Sequence, residues 1–342
     1  MTPTRVDLRM VPRVLLGLLG VAVVAWIAYK GSQDGRLFWV VTLNGVTLAA
    51  LFFVVAAGFT LIFGLMRVVN MAHGSLYLLA GYIAFTIQSN NYGVSSNLLS
   101  GSPATFTSWI VPLVIATGVI GVVGVLMQQV FLRWNQGQDL RQALITIAIS
   151  VILADQMVAH FGGIAEAIQQ PAVWPDSVAI VGVHYGFFRL VVVVGAAIVI
   201  GGLLFLVIKR TRFGMIIRAG VDDRSMVSAL GVNIQFVFAG AFFIGALLAG
   251  LAGVLGGTML AVQPGNDSAF LLDSLIVVII GGMGSLGGAA IGSIALGLVS
   301  SYANVYLSFG TTDLTNYSIL LTFILVVAML AVRPLGLFGR PA

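Results

Sequence analysis

The sequence predicts an all-α polytopic membrane protein, and three observations carry that prediction. Of its 342 residues, 59% are hydrophobic and only 8% are charged, with a mean hydropathy of +1.09. Soluble domains carry about 25% charged residues, so 16 Lys and Arg with 11 Asp and Glu are too few to clothe a 35.9 kDa body in water. Apolar runs near the ~20 residues that one membrane crossing needs recur along the chain. The basic residues sit between those runs, where they orient a chain in a bilayer. The net charge of +5 and pI near 9.8 are therefore read as membrane orientation, and no nucleic acid partner is expected.

Ten apolar segments follow in order: 11–29, 37–63, 72–87, 109–132, 143–159, 188–208, 237–260, 271–282, 286–305 and 317–332. The eighth is too short for a straight crossing and reads as broken or re-entrant. The first follows Arg5, Arg9 and Arg13, but Lys30 comes after it without a small-residue cleavage site, so a retained helix is expected rather than a signal peptide. Ten crossings with both termini in the cytoplasm place 13 of the 16 basic residues inside, leaving only Lys30, Arg36 and Arg189 outside. Nine or eleven crossings would put Arg333 and Arg340 on the wrong side. Of the two long external stretches, 88–108 is Ser- and Asn-rich loop, whereas 160–187 contains an alternating Val178 to Val183 run that suggests a short hairpin. The whole chain, 1–342, is read as one transmembrane domain.

Ten crossings divide into five and five, and an odd number per half suggests an inverted repeat. At an offset of 193 residues, Gly64, Met66, Val69, Ser75, Leu78 and Leu79 match Gly257, Met259, Val262, Ser268, Leu271 and Leu272. That suggests the repeat without establishing it, because apolar segments match easily.

Two breaks between apolar runs carry the candidate translocation path. In the octet from Gly281 to Gly288, glycine fills five of eight positions, which is poor helix-forming chemistry. Gly281, Gly282, Gly284, Ser285 and Gly287 are thus expected either to unwind beside a solute path or simply to allow close helix packing. The octet also matches a dinucleotide fingerprint, but the acidic residue expected about 20 positions on is absent, and no phosphate-binding Gly-Lys-Ser or Gly-Lys-Thr occurs. At the other break, Asn70, His73, Gly74 and Ser75 bring hydrogen-bonding groups to membrane depth, where polar groups are costly and tend to mark a route. Asp155 and Asp273 fall inside apolar runs and should face a bundle interior, a water path or a partner.

Enzyme chemistry is not indicated. Cysteine is absent, and His73, His160 and His184 are scattered, so no nucleophile pair or metal-ligand spacing is formed. No catalytic residue, metal site or bound cofactor is expected in this chain.

The loop 209–236 holds the densest positive charge: Lys209, Arg210, Arg212, Arg218 and Arg224. Asp222 or Asp223 can start a short helix that ends before Gly231. Met226, Val227 and Leu230 are expected on one face of it, ready to dock into a groove on a soluble partner. Binding to anionic lipid would explain the charge but not the capped helix.

Together these residues resemble the LivH-like permease subunits of bacterial ABC importers for branched-chain amino acids. The likeness rests on Gly64-Leu65-Met66-Arg67-Val68-Val69-Asn70-Met71-Ala72-His73-Gly74, on residues 212–233, on the Gly281 to Gly288 octet and on the tail Arg333-Pro334-Leu335-Gly336-Leu337-Phe338-Gly339-Arg340. One departure is Ser75, where many relatives carry an acid. The resemblance implies that residues 219–231 form a coupling helix seated on an ATPase, with Arg218, Ala219, Gly220, Asp222, Asp223, Met226, Val227, Leu230 and Gly231 as its coupling residues. It further implies an inner-membrane heterodimer with a LivM-like permease, two LivG/LivF-like ATPase subunits that bind the ATP, and a periplasmic solute-binding protein delivering an amino acid. Importers of urea or short-chain amides use similar permeases. An ion-coupled secondary transporter relying on Asp155, Asp273 or His73 is the alternative of a different class.

Overall fold

The computed structural model describes residues 25–338 apart from 28, 67–68, 95–102, 223, 310–311, 314–316 and 334. Nearly all of the first apolar run lies outside the described residues, as do Arg5, Arg9, Arg13, Arg67, Asp223 and Arg340.

Helices dominate the described residues. They are α1 (Gly35–Met66), α2 (His73–Tyr92), α3 (Phe106–Met127), α4 (Asp139–Phe161), α5 (Val194–Arg210), α6 (Arg212–Asp222), α7 (Arg224–Ala229), α8 (Ile234–Met259), α9 (Asn266–Gly281), α10 (Leu286–Tyr306) and α11 (Ser318–Val332). A π-turn and a 3-10 turn extend α3 to Asn135, and a π-turn at Phe188–Val193 leads into α5. Among the described residues, six helical stretches are long and apolar enough to cross a membrane: Gly35–Met66, Phe106–Asn135, Asp139–Phe161, Phe188–Arg210, Ile234–Met259 and Leu286–Tyr306. The chain is thus an all-α polytopic membrane protein. At 16 residues, α9 spans about 24 Å, short of the ~30 Å hydrocarbon core, as its brief apolar run predicts.

The core is built around α1 and α8, which cross each other and are wrapped by α2, α3, α9 and α10. Small residues let them approach. Gly45 of α1 lies against Leu298 and the Gly297 carbonyl of α10, while Gly297 lies against Gly45 and Ala49. Because hydrocarbon supplies no hydrophobic drive between helices, such close packing and buried hydrogen bonds hold the bundle. On the same seam Ser301 Oγ donates to the Val41 carbonyl at 2.6 Å, and Thr42 and Tyr302 share a 2.7 Å hydroxyl contact. In contrast α4 and α5 are peripheral: α4 packs mainly on α2, and α5 on α1.

Two short hairpins complete the fold. Ser177–Ile180 (β1) pairs antiparallel with Val183–Gly186 (β2) around a Val181-Gly182 turn, where the sequence alternation places it. Tyr185 of β2 donates to Asn44 at 2.8 Å and contacts Thr47 at 2.9 Å, tying the hairpin to the start of α1. The other, Ser308–Phe309 (β3) with Thr312–Asp313 (β4), lies between α10 and α11.

Candidate functional site

The chain does not turn straight back after α1. His73 Nε2 donates to the Val55 carbonyl at 3.0 Å, so α2 begins beside the middle of α1 rather than at its end. From Val55 to Met66 is eleven residues, about 16 Å of helix. By residues 69–72 the chain therefore lies within the bundle. A turn in which His73 N–H donates to the Asn70 carbonyl at 3.2 Å, and Ala72 N–H to Asn70 Oδ1 at 3.1 Å, starts α2.

The second half repeats the device. α8 ends at Met259 and α9 begins at Asn266, both 193 residues after the corresponding boundaries of α1 and α2. Asn266 N–H donates to the Gln263 carbonyl at 3.2 Å, the counterpart of the His73–Asn70 bond. The starts of α2 and α9 touch. Gly74 lies against the backbone carbonyl of Asp267, and the rings of Tyr77 and Phe270 stack at 4.2 Å. Both pairs are themselves 193 residues apart.

Around this junction the candidate residues are buried. His73 is fully enclosed, edge-on to Phe59 at 5.6 Å, and its Nδ1 has no protein partner. Asn70 Nδ2 and the Tyr77 hydroxyl are likewise buried without partners. Ser75 bonds Ser150 of α4 at 2.8 Å, and Thr146 one turn earlier accepts from Met71 N–H at 3.2 Å, so α4 lies alongside α2 through a polar stripe. Buried polar atoms normally find partners, and these three orphans lie together at the helix break.

The glycine octet sits elsewhere. Gly64, near the end of α1, meets Gly284, whereas His73 meets Val55, nine residues or about 14 Å away along α1. The structure thus does not bring the two candidate path segments to one depth. The octet is the tight link from α9 to α10: Gly282 and Gly284 adopt φ of 97° and 84°, which side chains resist, and Ser285 caps α10 by accepting Gly288 N–H at 3.0 Å. Gly281 and Gly288 pack backbone to backbone, while nothing crowds Gly287. The tail closes over this link, with Leu337 and Phe338 N–H donating to the Ile280 and Gly281 carbonyls at 2.9 and 3.0 Å.

At the hairpin end, an element that the sequence did not reveal seals the second break. Glu166 and Val262 exchange backbone hydrogen bonds of 2.9 and 2.6 Å, and Ile168 N–H donates to the Gly257 carbonyl at 3.2 Å. Gln88 clasps the next residue, accepting from Gln169 N–H at 2.8 Å and donating to its carbonyl at 3.0 Å. The same amide donates to the Ser108 carbonyl at 3.2 Å, the group that Pro112 leaves unbonded four residues on in α3. Gln88 just past the apolar run of α2, together with the helix-interior Pro112, was the available signal.

The loop 209–236 forms two helices rather than one. Thr211 accepts Gly214 N–H at 3.1 Å to start α6, and Arg218 donates to the Ile208 carbonyl, pinning α6 against the end of α5. After α7, Gly231 N–H donates to the Ser228 carbonyl and Val232 N–H to that of Val227, with Gly231 at φ 82°, the predicted glycine stop. Asn233 then caps α8 by accepting Gln235 N–H at 3.1 Å. The expected single face needs correction. Met226 and Leu230, 64% and 75% exposed, share a face, but Val227 is only 4% exposed and points into the body. The reason is angular: positions 226 and 230 lie about 40° apart on a helix, while 227 is turned by about 100° from 226. Ala219 and Arg218 are exposed and Gly220 is buried; the side chain of Asp222 lies outside the described residues.

The two intramembrane carboxylates differ. Asp273 is partly buried on α9, whereas Asp155 is exposed on α4.

Comparison with known proteins supplies the family. A model described as branched-chain amino acid transport system / permease component matches residues 41–330. The high-affinity branched-chain amino acid transport system permease protein LivH of Escherichia coli K12 is 30% identical over 311 residues, covering 87% of this chain and 94% of the relative; that of Salmonella typhimurium gives the same values. The corresponding protein BraD of Pseudomonas aeruginosa is 28% identical over 306 residues, 87% of this chain and 94% of the relative. No solved structure matches. The residue runs at both breaks, the two-helix loop and a match over most of its length place this chain in the permease family of branched-chain amino acid transport systems.

Proposed function

We propose that this chain is a transmembrane permease subunit of an ABC importer, carrying branched-chain or related amino acids across the bacterial inner membrane. The observation that carries the reading is the pair of re-entrant breaks whose helix starts meet at Gly74–Asp267 and Tyr77–Phe270. Contacts that map onto themselves under one sequence offset are what a two-fold axis in the membrane plane produces, so we read the chain as an inverted repeat of five plus five segments with both termini cytoplasmic. Half-helices starting near mid-membrane with orphaned polar groups are suited to a solute path. On this reading Asn70, His73, Gly74 and Ser75 line the central part, and the octet is the cytoplasmic hinge beneath it. The chain is not an enzyme; ATP is bound by LivG/LivF-like partners. A LivM-like second permease and a periplasmic binding protein complete the assembly.

The loop 209–236 is the coupling element. Its α6 is fixed to α5 through Arg218, its α7 is stopped at Gly231, and Met226 and Leu230 stand outward for an ATPase groove. Such an element transmits work only if its contacts differ between the ATPase states. The test replaces both Met226 and Leu230 by Glu. Membrane insertion should persist while association with the ATPase pair and uptake are lost; normal uptake by the double variant refutes the coupling assignment. Uptake that survives collapse of the proton gradient but not ATP depletion separates this importer from an ion-coupled carrier.

A further inference from the structure

A recess of about 290 Å³ opens at the hairpin end of the second break, close to the ~300 Å³ at which ligand clefts begin. Its walls are the strap 167–170, the two ends of the β1–β2 hairpin, the π-turn that leads into α5, and the last residues of α8. Glu166, which precedes that stretch of the strap, is the residue bonded to Val262 across the break. The recess therefore adjoins the seal over the break.

Two opposite charges share this recess without pairing. Arg189 and Asp176 both line it, both are exposed, and they form no ion pair with each other. Arg189 is held in place: its stem runs beside Gly186, and its Nη2 donates to the Met259 carbonyl at 3.3 Å. That carbonyl lies at the C-terminal end of α8, where a cation is favoured. A guanidinium carries five N–H donors, so others remain for a ligand. The partly buried Gln170 adds an amide to the wall that has no side-chain partner among the described residues. Beside these polar groups stand three buried apolar residues, Ile168, Phe188 and Met259.

The wall chemistry defines the ligand. A cation and an anion kept apart in one recess, next to an apolar surface, match a molecule with one carboxylate, one ammonium and an aliphatic side chain. Lipid tails would leave both charges unsolvated, which is costly. Arg189 is also one of only three basic residues, of 16, that the sequence reading leaves on this side of the membrane.

We infer that this recess is an acceptance site for the amino acid on the hairpin side, outside the seal that the strap places over the break. Arg189 takes the carboxylate, Asp176 the ammonium, and Ile168, Phe188 and Met259 the aliphatic side chain. The inference rests on the importer reading above and names where that solute is first held. A guanidinium–carboxylate contact is directional and charge-assisted, while exposure of both charges to water keeps the hold weak enough for release.

The experiment uses the whole transporter in membranes. Gln170→Cys places a single thiol on the wall of the recess in a chain that has none, and a membrane-impermeant methanethiosulfonate reports its accessibility by mass shift. Leucine should slow the labelling. Isopentylamine, which lacks the carboxylate, and 4-methylpentanoate, which lacks the ammonium, should not do so at the same concentration. Adding Arg189→Gln or Asp176→Asn should raise the leucine concentration needed for half-protection by about tenfold, the loss of roughly one charge-assisted bond. Arg189→Lys should keep most of the protection, and His184→Gln, exposed on β2 and outside the recess, all of it. An unreactive thiol, labelling indifferent to leucine, or equal protection by either analogue overturns the inference. Leucine uptake by the native complex without protection at 170 refutes the recess alone. Protection at 170 with no uptake by the native complex supports the recess and refutes the importer reading.

Discussion

Replacing Gly74 by Ala tests whether the starts of α2 and α9 abut as described. A methyl group there would stand 2.9 Å from both the Asp267 carbonyl carbon and Leu271 Cβ, nearer still to the Asp267 oxygen. Ordinary carbon contacts lie at about 3.5–4.0 Å. The obstructing atoms are backbone and a Cβ, which cannot swing aside, so the two half-helices must separate. Overpacking of this kind costs about 1–3 kcal/mol. The same substitution at Gly118, in the middle of α3 with nothing within 4 Å, meets no obstacle. It should be neutral or gain up to about 1 kcal/mol from helix propensity. Thermal unfolding of the purified proteins, followed by the surviving monodisperse fraction after heating, compares the two. Gly74→Ala should unfold at lower temperature than native, and Gly118→Ala should not. Equal stability of the two variants would refute the junction and, with it, the self-paired contacts that support a two-fold repeat.

Two other outcomes follow from the hairpin end. Gln88→Ala removes three hydrogen bonds and strands the Gln169 and Ser108 backbone groups, so a loss of about 1–3 kcal/mol is expected; faster proteolysis within 162–176 would show it. The double variant Glu166→Cys with Val262→Cys should form a disulfide on mild oxidation, because residues that exchange both backbone bonds lie about 5.5 Å apart. Loss of both thiols to maleimide, restored by reduction, checks the pairing; persistently reactive thiols would show that the strap does not lie on the break.

Much of the architecture was legible because membrane chemistry is restrictive. Uninterrupted apolar length forced helices, and the scarcity of charge made the loop 209–236 and the breaks around Asn70 and Gly282 conspicuous. Local chemistry also revealed itself: the Val178 to Val183 alternation became a hairpin around Val181-Gly182, and Gly231 ended α7. Periodicity failed where a face depends on what lies behind it. Val227 turns inward because the short helix lies against the body of the protein, a fact that no helical wheel contains. The octet likewise read as either an unwound stretch beside a solute path or a close-packing run, and its depth is set by Gly284 meeting Gly64.

By itself, the sequence determined that the chain lives in a membrane, where its helices run and which residues interrupt them, since these follow from local apolar length, charge and glycine content. Only the tertiary structure decided depth and pairing. His73 meeting Val55, Gly74 meeting Asp267 and Gln88 clasping Gln169 all join residues distant in sequence. The bond that places an element at a given level of the bilayer is made by the partner helix, and its identity is written in no single segment.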